Sequence, residues 1–217
     1  MATEAGDEEV GANARSGIVA SYVTIFSVIY YVGAIALLHV LRTDYDPGYR
    51  FLSEYAIGPY GALMISTFFA LSVGSFALSF GLWRSVSSRL RFLPGLLLWL
   101  TWACTVFLAG IYPGDLQGLP PTRSGQIHAQ MAMIGFPSAT LALPLISFFL
   151  RWEQKWRSVW LVSVALSVAV ITCFLAIDQL AEIRFGGLVQ RVFLACTLMW
   201  MFILGRKLLT LEKRGKG

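Results

Sequence analysis

Charged side chains are scarce in this sequence. Only 13% of its 217 residues are Asp, Glu, Lys or Arg, whereas 57% are hydrophobic. A single soluble core of this size cannot bury so much apolar surface, so the solvent of the chain is lipid. The composition therefore excludes a soluble globular protein, and the length leaves no room for a separate soluble domain beside the membrane spans.

Cysteine and histidine, which often hold metals, are also rare. The three cysteines lie in apolar runs without a Cys-x-x-Cys pair, and the two histidines have neither His-x-x-x-His nor His-Glu-x-x-His spacing. A catalytic zinc site needs about three protein ligands. The Cys-x-x-Cys-His motif that attaches haem is missing too. We therefore predict no metal and no cofactor.

The N-terminal segment lacks the features of a cleaved signal peptide. "MATEAGDEEVGANARS" carries four acids, no basic n-region and no apolar stretch. We expect residues 1–16 to form a disordered acidic tail. At the other end, residues 207–217 are expected to form a basic cytoplasmic tail.

Long apolar runs dominate the rest of the chain. Six of them approach the roughly 20 residues that a helix needs to cross a hydrocarbon core of about 30 Å. They lack the alternation of apolar and polar residues that marks the strands of a membrane barrel. The sequence therefore predicts an all-α, six-helix transmembrane bundle forming one domain over residues 17–206. The predicted spans are 17–41, 60–83, 93–112, 128–150, 159–180 and 188–205.

Basic residues predict the orientation of this bundle. Twelve of the 17 Lys and Arg residues lie in the even-numbered loops and near the termini, and five lie in the odd-numbered loops. Positively charged loops stay in the cytoplasm, so both termini are predicted to be cytoplasmic. The net charge of +5 is then a topology signal, and no nucleic-acid partner is expected. We expect the protein in the inner membrane of a prokaryote.

This orientation gathers both histidines and half of the acids at the outer ends of the spans. Because ionisable groups are costly near lipid, their gathering predicts an outward-facing polar cap that encloses a pocket. The residues predicted to form this cap and bind a ligand are Asp46, Ser53, Glu54, Tyr55, Asp115, His128, Asp178, Gln190 and Arg191.

Each of these candidates also has a structural interpretation. Ser53 and Glu54 can cap a helix and complement its dipole. Asp46 and Asp115 can form turns with the prolines and glycines beside them. Tyrosines near Tyr55 fit an interfacial aromatic belt, and His128 can simply be hydrogen-bonded at the interface.

Asp178 and Arg191 are predicted to meet. They flank the short connection "LAEIRFGG" between two antiparallel spans, which brings them to similar depth. A charge at that depth seeks a partner. We expect an ion pair, formed directly or through Gln190, whereas independent snorkelling into the headgroups is the alternative.

Four segments carry a family resemblance. They are "YDPGYRFLSEYAIGPYG" after the first span, "IYPGD" closing the third, "SGQIHAQ" opening the fourth and "GGLVQR" opening the sixth. Together they resemble the bacterial and archaeal membrane family catalogued as domain of unknown function 998. The strongest part is "LSEYAIGPYG", and the family often has an acid where Gln190 stands. The resemblance implies six helices and leaves the activity open.

Three functions fit these features. The first is binding of an amphiphile, a lipid or a quinone, from the membrane without chemistry. The second is an accessory subunit that docks against a larger membrane complex. The third is a membrane-embedded hydrolase that uses Glu54, Asp115 and His128, although the ligand count disfavours a metal-dependent one. We predict a binding protein rather than an enzyme, with membrane lipids as partners and other membrane-protein subunits as the alternative.

Overall fold

Six long helices make up the protein, and they confirm the all-α, six-span prediction. The structure is a computed structural model that describes the backbone of residues 2–214 and the side chains of residues 15–214. No strand occurs in those residues. The helices are α1 (Ala2–Leu41), α2 (Gly61–Ser85), α3 (Arg89–Ile111), α4 (Arg123–Leu150), α5 (Trp160–Glu182) and α6 (Gly186–Arg214). Each contains a stretch long and apolar enough to cross a membrane.

The helices pack in chain order around a closed ring, with α6 returning to α1. Helix α2 also contacts α6 across the ring. The ring encloses the core, whose largest completely buried side chains include Trp99, Trp200 and Phe193. Helix α5 contributes least to this core, since only Ser163, Ser167 and Val170 are buried on it.

The connections lie at two ends of the bundle. One end carries residues 42–60, 112–122 and 183–185, which we call the polar cap; the other carries residues 86–88 and 151–159. Gly17 on α1 lies against Glu212 on α6, so these two helices approach each other at the end opposite the polar cap. Which side of the membrane the polar cap faces stays a prediction from the basic residues.

The terminal helices extend beyond the predicted spans. The acidic segment expected to be a disordered tail continues α1 as helix from Ala2. It is rich in Ala and Glu, which are strong helix formers, and acids near a helix start complement its dipole. At the C-terminal end α6 runs to Arg214, so most of the predicted basic tail is helical, while residues 215–217 lie outside the described residues.

Small residues on α2 permit close helix packing. A side chain added at Gly74 would collide with Ser27 on α1, and one added at Gly81 would collide with Leu208 on α6. The Thr24 hydroxyl donates across this approach to the Gly74 carbonyl at 3.3 Å. Helix α2 is therefore held tightly against α1 and α6.

Candidate functional site

Residues 42–60 fold into the largest part of the polar cap. Asp46 forms the predicted turn, where its Oδ1 accepts the Gly48 N–H at 2.8 Å. A short 3₁₀ helix follows at Leu52–Ala56. The loop ends at Tyr60, whose backbone is left-handed with φ of 63°, immediately before α2 begins.

Arg42 ties this loop to the end of α1. Its Nη1 donates to the carbonyls of Ile57 at 2.8 Å and Pro59 at 3.1 Å. Its Nε and Nη2 each donate to the Asp44 carboxylate at 2.9 Å. The hydrogen bonds from Arg42 lower the pKa of Asp44, and those to Asp44 raise the pKa of Arg42. Arg42 therefore closes the loop through its bonds to Ile57 and Pro59. The charges of Arg42 and Asp44 neutralise each other.

Glu54 lies at the centre of the polar cap and is only 2% exposed. Its Oε1 accepts the Phe51 N–H at 2.9 Å and the Gln117 side-chain amide at 2.9 Å. Its Oε2 accepts Arg50 Nη1 at 2.8 Å and the Gln117 backbone N–H at 3.2 Å. Glu54 thus caps the 3₁₀ helix, rather than α2 as the structural interpretation of this residue supposed. It also binds the α1–α2 loop to the α3–α4 loop.

The first turn of α6 holds the same loop from the other side. Gln190 Oε1 accepts the Leu52 N–H at 2.7 Å, and the Leu188 N–H donates to the Gly48 carbonyl at 3.0 Å. A side chain at Gly187 would collide with the carbonyls of Gly48 and Arg50. The glycines of "GGLVQR" therefore allow the loop to lie directly on the start of α6.

Arg191 completes this contact, and its partners differ from the predicted one. Its Nη1 donates to the carbonyls of Arg50 at 2.7 Å and Gly187 at 2.9 Å, and its Nε donates to His39 Nε2 at 3.0 Å. Its guanidinium carbon lies 5.8 Å from the ring centroid of Tyr55, which is completely buried. Arg191 and Tyr55 thus support the polar cap from below.

The expected ion pair between Asp178 and Arg191 is absent from the described residues, and Gln190 does not bridge them. Asp178 is exposed near the end of α5. The prediction was wrong because equal depth on two helices does not fix how each is rotated about its axis. Arg191 instead donates from Nη1 and Nε to carbonyl oxygens and a histidine, while its buried Nη2 has no partner in the described residues.

The α3–α4 loop brings Asp115 and His128 close to the same region. Asp115 accepts the Thr122 N–H at 2.7 Å and the Thr122 hydroxyl at 2.8 Å, which stabilises the start of α4. His128 Nδ1 lies 2.9 Å from the Tyr112 carbonyl oxygen. A side chain added at Gly125 would collide with Asp115. The loop therefore packs closely against the first turn of α4.

A cleft of about 790 Å³ lies below the polar cap among all six helices, with Tyr31 as the contribution of α1. Six of the nine residues predicted for the site line it: Ser53, Glu54, Asp115, His128, Asp178 and Gln190. The other three, Asp46, Tyr55 and Arg191, do not line it. The rest of the wall is mostly apolar, with Met64, Phe68, Trp102, Phe136 and Phe193 along the bundle.

The chemistry available in the cleft follows from these bonds. Both oxygens of Glu54 and of Asp115 already accept hydrogen bonds from the protein. No group of three His, Cys, Asp or Glu residues within the described part of the chain could hold a metal ion. Glu54 and Asp115 therefore hold the loops in place through hydrogen bonds.

Reasoning from the sequence missed three residues that organise the site. Arg50 pairs with Glu54, Gln117 donates to it twice, and His39 accepts from Arg191. Arg50 lies within the quoted "YDPGYRFLSEY" segment, and its spacing of four from Glu54 was a usable signal. Gln117 gave no such signal, because it lies in the α3–α4 loop, whose path only the folded chain reveals.

Comparison with known proteins gives a family. The family model described as "Protein of unknown function (DUF998)" matches residues 24–207, and the chain belongs to this family. No curated protein and no solved structure matches it. The match reaches all six helices, with α1 included from residue 24 and α6 to residue 207, and it takes in every residue that lines the cleft.

Proposed function

We propose that this DUF998 protein binds an amphiphile taken from the membrane, without transforming it. The observation that carries the proposal is the cleft, which is apolar where it runs along the bundle and polar where it meets the polar cap. An amphiphile has the same division into a tail and a head. As proposed from the basic residues, the head would lie on the outer side of the inner membrane of a prokaryote.

The size of the cleft suits such a ligand. Its volume of about 790 Å³ falls within the range of about 300 to 1,000 Å³ typical of small-molecule sites. Burial of one methylene group is worth about 0.8 kcal/mol. An alkyl chain lying along Met64, Phe68 and Phe193 would therefore supply most of the binding free energy.

The cleft is also reachable from lipid. Met133 on α4 and Leu175 on α5 both line it, and they are 76% and 65% exposed. Both lie within candidate membrane spans. An acyl chain can therefore enter sideways between α4 and α5 without crossing the headgroup layer.

A matched pair of variants tests this proposal. Ala132→Phe places a ring in the cleft, since Ala132 is part of its wall. Ala165→Phe adds the same ring to an exposed position on α5 outside the wall. The parent and both variants would be extracted gently, and their co-purifying lipids measured by mass spectrometry. Thermal unfolding in detergent would show that all three are folded.

We expect one amphiphile to be enriched with the parent and with Ala165→Phe and to be lost from Ala132→Phe. Identical lipid profiles for all three would contradict the proposal. A protein of fixed stoichiometry retained by all three would favour an accessory subunit instead. A bound metal would favour the hydrolase that uses Glu54, Asp115 and His128.

A further inference from the structure

Gln190 leaves one hydrogen-bonding group free at the polar end of the cleft. Its side chain is 7% exposed, and its Oε1 accepts the Leu52 N–H, which identifies the oxygen of the amide. Its Nε2 has no partner in the described residues. Because Gln190 lines the cleft, this buried amide offers a hydrogen-bond donor to whatever the cleft holds.

His128 and Asp178 also line the cleft and carry hydrogen-bond acceptors. Nδ1 of His128 faces the Tyr112 carbonyl oxygen at 2.9 Å, so it carries the proton in the neutral ring and leaves Nε2 as an acceptor. Asp178 is exposed in the cleft wall without an ion-pair partner in the described part of the chain. Both groups are suited to a ligand that donates hydrogen bonds.

The charges in the cleft wall indicate which head group the ligand carries. No Lys or Arg belongs to the cleft wall within the described residues, although three carboxylates do, those of Glu54, Asp115 and Asp178. Arg50 offsets Glu54 but does not itself line the cleft. A phosphate or carboxylate head would find negative charge and no cation there.

We propose that the cleft selects an amphiphile with a protonated amino head group, an inference that rests on the proposed function. The amine donates to the carboxylate of Asp178 and to Nε2 of His128, and the amide of Gln190 donates to an oxygen of the ligand beside the amine. A single ionic hydrogen bond favours the charged head over a neutral one. Oxidised quinones, which carry only acceptors, leave two of these three groups unsatisfied.

Three photoreactive probes with one common tail test this assignment. Dodecylamine, dodecanol and dodecanoate would each carry a diazirine at the same carbon. Each probe would be added to the full-length protein in phosphatidylcholine nanodiscs and irradiated, and labelling of the peptide that contains Ala132 would be measured by mass spectrometry. Subtracting the labelling of Ala132→Phe removes insertion from bulk lipid.

We expect the amine probe to reach half-maximal labelling at a concentration at least about tenfold lower than the carboxylate probe. It should also need a lower concentration than the alcohol probe. Asp178→Asn should reduce labelling by the amine probe to the level seen with the alcohol probe. Labelling by the alcohol probe should stay unchanged. Glu182→Gln removes the same charge from an exposed position of α5 outside the wall, and should change nothing. Because Asp178 has no hydrogen-bond or ion-pair partner among the residues that the structure describes, Asp178→Asn is expected to fold.

Two results would overturn the assignment, and they differ from failure of the proposed function. Strongest labelling by the carboxylate probe, or equal labelling by the amine and alcohol probes, would refute the preference for an amino head group. The proposal that the cleft binds an amphiphile would still stand. Labelling of the parent no higher than that of Ala132→Phe for every probe would instead refute binding in the cleft.

Discussion

Glu54 and Glu153 lie at opposite ends of the bundle, and both carboxylates are almost entirely buried, at 2% and 7% exposure. Glu54 binds one arginine and donors from two loops of the polar cap. Within the described part of the chain, Glu153 accepts hydrogen bonds from neutral donors, the Ser87 hydroxyl at 2.6 Å and the N–H groups of Ser87 and Ser88 just before α3.

The difference between them lies in what surrounds each carboxylate. Glu153, in the α4–α5 connection, binds the α2–α3 connection at the start of α3. A negative charge there complements the dipole of α3. Glu153 does not line the cleft. Glu54 holds two loops over the cleft and forms part of its wall. The comparison teaches that two acids can be buried and hydrogen-bonded to a similar degree while only Glu54, of the two, forms part of the cleft wall.

The largest expected effect concerns which end faces outward. In a background free of cysteine, Leu119→Cys lies in the polar cap and Gln154→Cys at the opposite end, and both positions are exposed. We expect an impermeant thiol reagent to label position 119 in intact cells and position 154 only after lysis, because basic loops stay inside. The reverse pattern would place the polar cap in the cytoplasm.

Removing Glu54 should destabilise the protein more than removing Glu153. Glu54→Ala leaves the amides of Phe51 and Gln117 without this acceptor, and Arg50 keeps only the long bond from its Nη1 to the Gln117 carbonyl at 3.4 Å among the described residues. We expect a loss of about 2 to 4 kcal/mol, below the full cost of breaking a buried pair because Arg50 is partly exposed. Thermal unfolding in detergent measures it, and Glu182→Ala, which changes an exposed acid, is the control. Equal stability of the two variants would mean that Glu54 is dispensable for the fold.

Glu153→Gln should have a smaller effect. The amide can still accept at one oxygen, but one of the donors from Ser87 and Ser88 is left unsatisfied. We expect a loss of about 1 to 2 kcal/mol in unfolding free energy, with retention of the co-purifying amphiphile unchanged. Gln154→Ala serves as the control at an exposed neighbour. Loss of the amphiphile in Glu153→Gln would show that the two ends are coupled.

The smallest expected effect is a pH dependence at the end opposite the polar cap. Burial raises the pKa of Glu153, but hydrogen bonds from Ser87 and Ser88 and the charge of Arg91 outweigh it, so the pKa is lowered overall. A lowered pKa in the folded state contributes stability above the ordinary value of about 4.5, and this contribution is lost as pH falls through the folded pKa.

The parent should therefore lose more thermal stability than Glu153→Gln when the pH falls from about 5 to about 3. Melting temperatures of both proteins at each pH measure the difference. Parallel curves for the two would show that protonation of Glu153 does not weaken this end of the bundle.

The six spans could be predicted because each is a long apolar run whose composition alone decides its environment. The predicted run at 60–83 differs from Gly61–Ser85 by at most two residues at either end. The helical continuation of α1 through the acidic segment was missed, because polarity was taken to mean disorder although Ala and Glu also favour helix.

The site could be predicted only in part. Depth along each span placed Glu54, His128 and Gln190 at one end, and they do line one cleft. Depth could not give the rotation of α5 and α6, which separates Asp178 from Arg191. Nor could it show that Gln117 would reach Glu54, since that contact joins loops 63 positions apart in the sequence.

The bonds between the first loop and α6 also order the assembly of the protein. Leu52 and Gln190 are 138 positions apart, and His39 and Arg191 are 152 apart. Synthesis proceeds from the N-terminus, so the first two helices emerge long before the residues that fix the loop between them. The polar cap is thus completed last, after the sixth helix inserts. A chain truncated before Gly186 would insert five helices, and its first loop would lack the hydrogen bonds with Gln190 and Arg191.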